Sequence, residues 1–529
     1  MIPLTLGQVA AITGGTLAGA DPAVTVTGEF VIDSRRVAPG GVFVAVSGER
    51  VDGHSFGPAA MALGAVAMLG TRAVDGVPSV VVADVPAALA SLARHVLSEL
   101  PGAVIAGITG SSGKTSVKDL AAQLVERLGP TIAPAGSFNT EYGLPLTILR
   151  ANADTRYLVL EMSARGIGHI AYLCGIAPPQ YGVVLNVGHA HAGGFGGLDQ
   201  VAIAKGELIE ALPPAGTAIL NADDPRVAAM APRTKARILT FSITPAAPST
   251  TPTTLPAPPT KLPAPPTTPA RVPMAPTGPL AGPKLPVSDA DGAIGPLAAE
   301  GLAAEDRPVA DFRAVDVRLD GLGRARFTLV TAEGAVAVSL RLHGAHQVQN
   351  ALAAAALAHS LGLGLDDIAD GLSNAVARSR WRMEVTERAD GMVIINDAYN
   401  ANPESVRAAL DALRHLAASQ GGGGRAFAVL GHMAELGDTS PSAHVAVGEY
   451  AATAGVAGLI AVGDEAAPVL DGARGVTSWR GEAVAVPDGR AALAILRDWL
   501  KPGDVVLVKA SRAASLESVA AELLSEADR

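Results

Sequence analysis

The chain has 529 residues, 49% of them hydrophobic, 3% aromatic and 17% charged, enough for three or four domains of about 150 residues. Its 40 basic and 50 acidic side chains leave a net charge of −10, the wrong sign for a protein built around nucleic acid. Mean hydropathy is +0.32, yet the longest apolar run, residues 351–365, holds His359, Ser360 and two glycines and falls short of the roughly 18 residues a membrane span needs.

The first fifteen residues lack the positive segment of a signal peptide. The single cysteine, Cys174, excludes an internal disulfide and a cysteine-based metal site. A soluble cytoplasmic protein with no membrane span is expected.

Taken in chain order, short β-branched runs over 30–33, 42–46, 65–69 and 79–82 predict a small sheet in the first hundred residues. The run Val104-Ile-Ala-Gly-Ile-Thr-Gly-Ser-Ser-Gly-Lys-Thr115 follows: a buried strand over 104–109, a glycine-rich turn, then a helix opening at Ser116. Glycines let the backbone of Gly110, Ser111, Ser112 and Gly113 fold around phosphate oxygens, and the new helix aims free N–H groups at them. Lys114 would place a positive charge on the β- and γ-phosphates, and the Thr115 hydroxyl would hold Mg²⁺. Ile108 stands where the common form of this loop has its first glycine. The loop by itself implies ATP or GTP and no particular reaction.

Strands over 157–162 and 182–187 come next. Ligands of open parallel sheets collect beyond the carboxyl ends of the strands. Glu161 ends one such strand and suits a Mg²⁺ site, since Mg²⁺ takes few carboxylates. His191 follows the other, with His189 as its competitor. Lys205, in the predicted helix from Leu198, reads alone as a surface lysine. Residues 245–286 then hold 15 of the chain's 38 prolines, which predicts an extended, solvated insert reaching to about residue 306.

Strands over 392–397, 426–430, 458–462 and 504–509 form a last set. Asn402-Pro403 and Ser440-Pro441 mark helix starts, each as a capping residue followed by proline. Asp397, Tyr399, Asn400, Asn402 and Lys509 fall near strand ends. Alternating strands and Ala-rich helices argue for an α/β fold with parallel sheets, divided near residues 100 and 385.

The motifs Thr109-Gly-Ser-Ser-Gly-Lys-Thr, Phe138-Asn-Thr-Glu-Tyr-Gly, Leu160-Glu-Met-Ser-Ala-Arg, Leu185-Asn-Val-Gly-His-Ala-His, Ala204-Lys-Gly-Glu, Ile395-Asn-Asp-Ala-Tyr-Asn and Leu507-Val-Lys-Ala-Ser-Arg together resemble the ATP-dependent Mur ligases of peptidoglycan synthesis. The resemblance covers nearly the whole chain outside the proline tract. Within the family it is strongest to the member that adds D-alanyl-D-alanine to UDP-N-acetylmuramoyl-tripeptide.

It implies three domains: a UDP-sugar domain over 1–100, a P-loop ATPase-type domain with a parallel sheet over 101–384 carrying the insert at 245–306, and a Rossmann-like domain over 385–529. It also implies ATP, two Mg²⁺ ions, a monomer and no nucleic-acid partner. Lys114 and Thr115 would meet ATP phosphates and the first Mg²⁺; Glu161 and His191 would hold metal; Lys205 would be carbamylated to support the second Mg²⁺. Asn350 would contact adenine, and Arg382 and Asp397 would reach the nucleotide. Ser34 and Arg35 fall in a segment like the family's UDP-binding one, although an Asp33–Arg35 ion pair accounts equally for those residues. Asn139, Lys509 and Arg512 would face the other substrates, with Ser511 beside them.

Three positions depart from the family pattern: Gln347, His432, and Met162-Ser-Ala-Arg165 after Glu161. Three rivals remain: the family member that adds a diamino acid to the dipeptide precursor, a more distant folylpolyglutamate synthase, which the UDP-type N-terminal segment disfavours, and a non-catalytic nucleotide-binding scaffold. The first carries a signature in its C-terminal domain that residues 431–437 lack.

Overall fold

The computed structural model describes residues 1–48, 51–188, 196–243, 309–420 and 423–525. The proline-rich insert expected over 245–306 lies outside the described residues, as do His189 and His191.

Three α/β sheets carry the fold. The first has five strands in the order Thr16–Ala18, Ser79–Val81, Ala67–Gly70, Val42–Val44 and Phe30–Val31, parallel except for the first pair. The second has nine. From one edge run Gly334–His343, Arg324–Thr331 and Phe312–Leu319, an antiparallel trio. Arg237–Ser242, Thr217–Asn221, Tyr181–Val184, Val104–Thr109, Tyr157–Glu161 and Thr131–Ile132 follow, all parallel. The third sheet orders Glu384–Glu387, Val393–Asp397, Val505–Lys509, Ala426–Gly431, Gly458–Val462 and Glu482–Val486, with only its first pair antiparallel.

Both faces of the parallel strands are covered, which is why they read as unbroken apolar runs. One cluster packs the helices Gly143–Ile148 and Leu198–Glu210 against one face of the central sheet and continues through the helix Val85–Ser98, which lies on Gly143–Ile148, into the first sheet. Another packs the helices Lys114–Val125 and His346–Ser360 on the opposite face. The third sheet has its own pair of clusters.

Asn402 caps the helix Pro403–Ser419 as expected, its side chain accepting from Ser405 N at 2.8 Å. The other expected cap is shifted by one residue. Ser440 is itself the first residue of the helix Ser440–Thr453, and Thr439 precedes it without a side-chain bond to a helix amide. The antiparallel trio over 312–343 was not anticipated.

The helices Ser440–Thr453 and Pro468–Gly475 cross with their backbones in contact. A Cβ on Gly448 would stand 1.8 Å from Val469 O, and one on Gly472 would stand 1.9 Å from Val445 O. Backbone cannot yield as a flexible side chain can, so Gly448→Ala should cost about 1–3 kcal/mol through overpacking. Thermal unfolding checks this, and an unchanged midpoint would contradict the close crossing.

Candidate active site

The order of the central sheet reverses beside Val104–Thr109: the chain builds strands on one side of it, then crosses to Tyr181–Val184 on the other. Such a switch point leaves a crevice at the carboxyl ends of the strands, and the phosphate loop opens into it. Gly113 takes φ +81° ahead of the helix Lys114–Val125, and no side chain caps that helix, so its first amides remain available to a ligand. Asn186 fixes the loop from the neighbouring strand end. Its carbonyl accepts from Ser111 N at 3.1 Å and its Oδ1 from Ser112 N at 2.9 Å.

Lys114 donates to Gly110 O at 2.6 Å. Burial lowers its pKa to about 8, while the Glu161 carboxylate pulls the other way. Glu161 is fully buried, unlike the solvated strand-end acid a sequence allows. Asn139 donates to its Oε2 at 3.0 Å, whereas Oε1 has no partner among the described residues. A buried carboxylate oxygen without a donor is costly unless a cation meets it. Lys205 is no surface lysine: it is 3% exposed, and burial holds its pKa well below the ordinary lysine range, with the Lys114 charge acting in the same sense. A deprotonated amine is what reaction with carbon dioxide needs.

A cleft of about 570 Å³ runs from this loop to the third sheet. Ser111, Ser112, Gly113, Lys114, Thr115, Ser116, Asn139, Asn350, Arg382, Asp397, Lys509 and Arg512 all line it. Gly110 and Glu161 are tied to it through Lys114 and Asn139. Asn350 lies against the loop, since a Cβ on Gly113 would come within 2.6 Å of its Oδ1, and its Nδ2 donates to Gln347 at 2.9 Å. The departure at Gln347 is therefore a support for Asn350. His432, the second departure, pairs with Glu465 at 3.0 Å. Arg165, the third, lines the cleft.

Asp397 and Lys509 meet each other. They are register partners on adjacent parallel strands, with Lys509 Nζ 2.5 Å from Asp397 Oδ2 and 3.0 Å from Asn400 O. Arg382 lies over the Tyr399 ring at 4.2 Å, and Arg512 lies 5.5 Å from the same ring.

Ser34 and Arg35 are not part of this cleft. They form a turn capped by Asp33, whose carboxylate holds the exposed Arg35 in a bidentate pair at 2.9 and 2.8 Å. Close by in sequence, buried His54 accepts from Thr71 N at 3.0 Å and lies 2.6 Å from Asp52, which Arg72 also holds.

Sequence reasoning missed Ser137, Thr140, Arg165 and Glu435 as cleft residues. Ser137 precedes a recognised motif by one residue, the only signal it offers. Glu435 adopts φ +64°, which composition does not reveal.

Three family profiles match the chain: "Mur ligase family, catalytic domain" over residues 29–101, "Mur ligase middle domain" over 108–254 and "Mur ligase, glutamate ligase domain" over 381–512. The chain is 42% identical to the UDP-N-acetylmuramoyl-tripeptide–D-alanyl-D-alanine ligase of Mycobacterium tuberculosis, across 99% of this chain and 98% of that protein. Its fold is similar to a crystal structure of MurF from Acinetobacter baumannii, at TM-score 0.74 and 28% identity over 99% of both chains. It is also similar to MurF from Thermotoga maritima in complex with ADP, at TM-score 0.69 and 28% identity over 95% of this chain and 98% of that one. With such identity sustained from end to end, and with the phosphate loop opening at the switch point, the chain belongs to the Mur ligase family.

Proposed function

We propose that the chain is an ADP-forming ligase that joins D-alanyl-D-alanine to UDP-N-acetylmuramoyl-tripeptide in cytoplasmic peptidoglycan synthesis, working as a monomer. The observation that carries this is the 42% identity over 99% of the chain to a ligase of that name. The divisions near residues 100 and 385 are part of the same proposal, supported by three sheets each drawn from one stretch of chain.

In the proposed reaction a terminal carboxylate oxygen of the tripeptide bonds to the γ-phosphorus of ATP, and the bond to the β-phosphate oxygen breaks, releasing ADP. The dipeptide amine then attacks the acyl carbon, loses a proton, and the acyl C–O bond breaks to release phosphate. Lys114 and the amides at the head of Lys114–Val125 would meet the charge that builds on the phosphoryl oxygens. Bound Mg²⁺ would supply further neutralisation of that charge. Thr115 and Glu161 fit such an ion, given the unpartnered Glu161 oxygen, and a carbamylated Lys205 would supply a second carboxylate-like group. His191 is proposed as a further ligand from the family motif alone. Walls contributed by both sheets would align the reactants and exclude the water that hydrolyses an acyl phosphate.

The assay supplies ATP, Mg²⁺ and UDP-N-acetylmuramoyl-tripeptide and follows phosphate release. Release should depend on added D-alanyl-D-alanine. Turnover only with the dipeptide precursor and a diamino acid would replace this reading by the rival ligase, and no turnover with either would leave a nucleotide-binding scaffold.

A further inference from the structure

The Thr115 and Arg382 side chains belong to different parts of the chain, and one small residue joins them. Ser137 Oγ lies 3.0 Å from Thr115 Oγ1 and 2.8 Å from Arg382 Nη2. Arg382 can only donate, so it holds the serine oxygen as an acceptor and fixes where that oxygen lies. Its own Nε is buried without a partner among the described residues, and Arg382 also lines the cleft.

A threonine that offers its lone pairs to a cation must send its proton elsewhere. Ser137 Oγ has a second lone pair and stands at hydrogen-bond distance to take it. The far side of the arrangement is anchored as well. Arg382 stacks on Tyr399, and the adjacent Met383 N donates to Asp397 Oδ1 at 3.1 Å. Trp381 and Met383, on either side of Arg382, adopt φ +60° and +50°, a backbone shape that persists only where surrounding contacts hold it.

We propose that Ser137 is a positioning residue that couples the seating of Arg382 to the orientation of the Thr115 hydroxyl, and thereby to nucleotide-bound Mg²⁺. The inference rests on the reading of the phosphate loop as a Mg²⁺–nucleotide site.

Calorimetric titration of the full chain with ADP, with and without Mg²⁺, tests it. In Ser137→Ala the gain in ADP affinity that Mg²⁺ confers should shrink about three- to tenfold, the worth of one such hydrogen bond. Affinity for metal-free ADP should fall by less than affinity for ADP with Mg²⁺, and an unchanged thermal unfolding midpoint reports an intact fold. Ser137→Thr should restore the gain. In an Arg382→Ala background, adding Ser137→Ala should cost less than it does in wild type, because the two side chains act together. An undiminished Mg²⁺ gain in Ser137→Ala, an equal loss with and without metal, or no recovery with threonine overturns the proposal. Wild-type protein that binds ADP without any Mg²⁺ gain overturns the site reading together with it.

Discussion

Lys114→Met should lower kcat/KM for ATP by about 10²–10³-fold, the usual cost of removing one preorganised charge from developing phosphoryl oxygens. Methionine keeps much of the length and volume, so the loss is one of charge. With its pKa near 8, the wild-type lysine is still mostly protonated at neutral pH and able to meet a polyphosphate. Phosphate release with both peptide substrates present measures the effect, and a variant within fivefold of wild type would remove Lys114 from the phosphate site.

Stability should move the other way. A lysine whose folded pKa lies below its ordinary 10.5 binds fewer protons folded than unfolded between about pH 8 and 10.5. Stability of the unliganded wild type therefore gains from rising pH in that window, and below it carries a constant penalty for burying charge. The methionine variant should melt no lower than wild type at pH 7 and should lack that gain. A midpoint well below wild type would mean that Lys114 has a structural role as well.

Lys205→Ala should reduce turnover by about 10²-fold or more if a carbamate on this residue supports a metal ion. Burial and the Lys114 charge both favour the free amine, the form that combines with carbon dioxide. Alanine leaves the volume of a buried lysine side chain empty, so millimolar formate or acetate should restore part of the activity. Full activity in Lys205→Ala would eliminate the carbamate, and loss without any rescue by formate would assign Lys205 a role as a lysine.

Several parts of the fold were legible because their signal is local. The strand Val104–Thr109 and the loop after it form one uninterrupted stretch, and burial on both faces makes such a strand a plain apolar run. Asn402-Pro403 announces its helix through its own side chain. The trio over 312–343 has a local pattern as well: in Arg324–Thr331, buried Ala325, Phe327 and Leu329 alternate with more exposed neighbours, a two-residue period. Ser440 looked like a cap because serine before proline usually is one, but the preceding 3₁₀ turn at Gly437–Thr439 already satisfies the entry and moves the helix start.

The candidate site divides in the same way. Sequence determined the chemistry on offer: a phosphate loop with Lys114 and Thr115, an acid ending a strand, a lysine in the following helix, and an arginine leading into the last set of strands. These are contiguous motifs whose meaning lies in their own residue order. Only the tertiary structure decided that Glu161 is buried with one oxygen unmatched, that Lys205 is enclosed rather than solvated, that Lys509 pairs with Asp397, and that Ser137 bridges Thr115 to Arg382. Burial and pairing depend on which strands become neighbours and in what register. Asp397 and Lys509 are 112 residues apart in the chain and directly opposite in the sheet, a relation that no local pattern encodes.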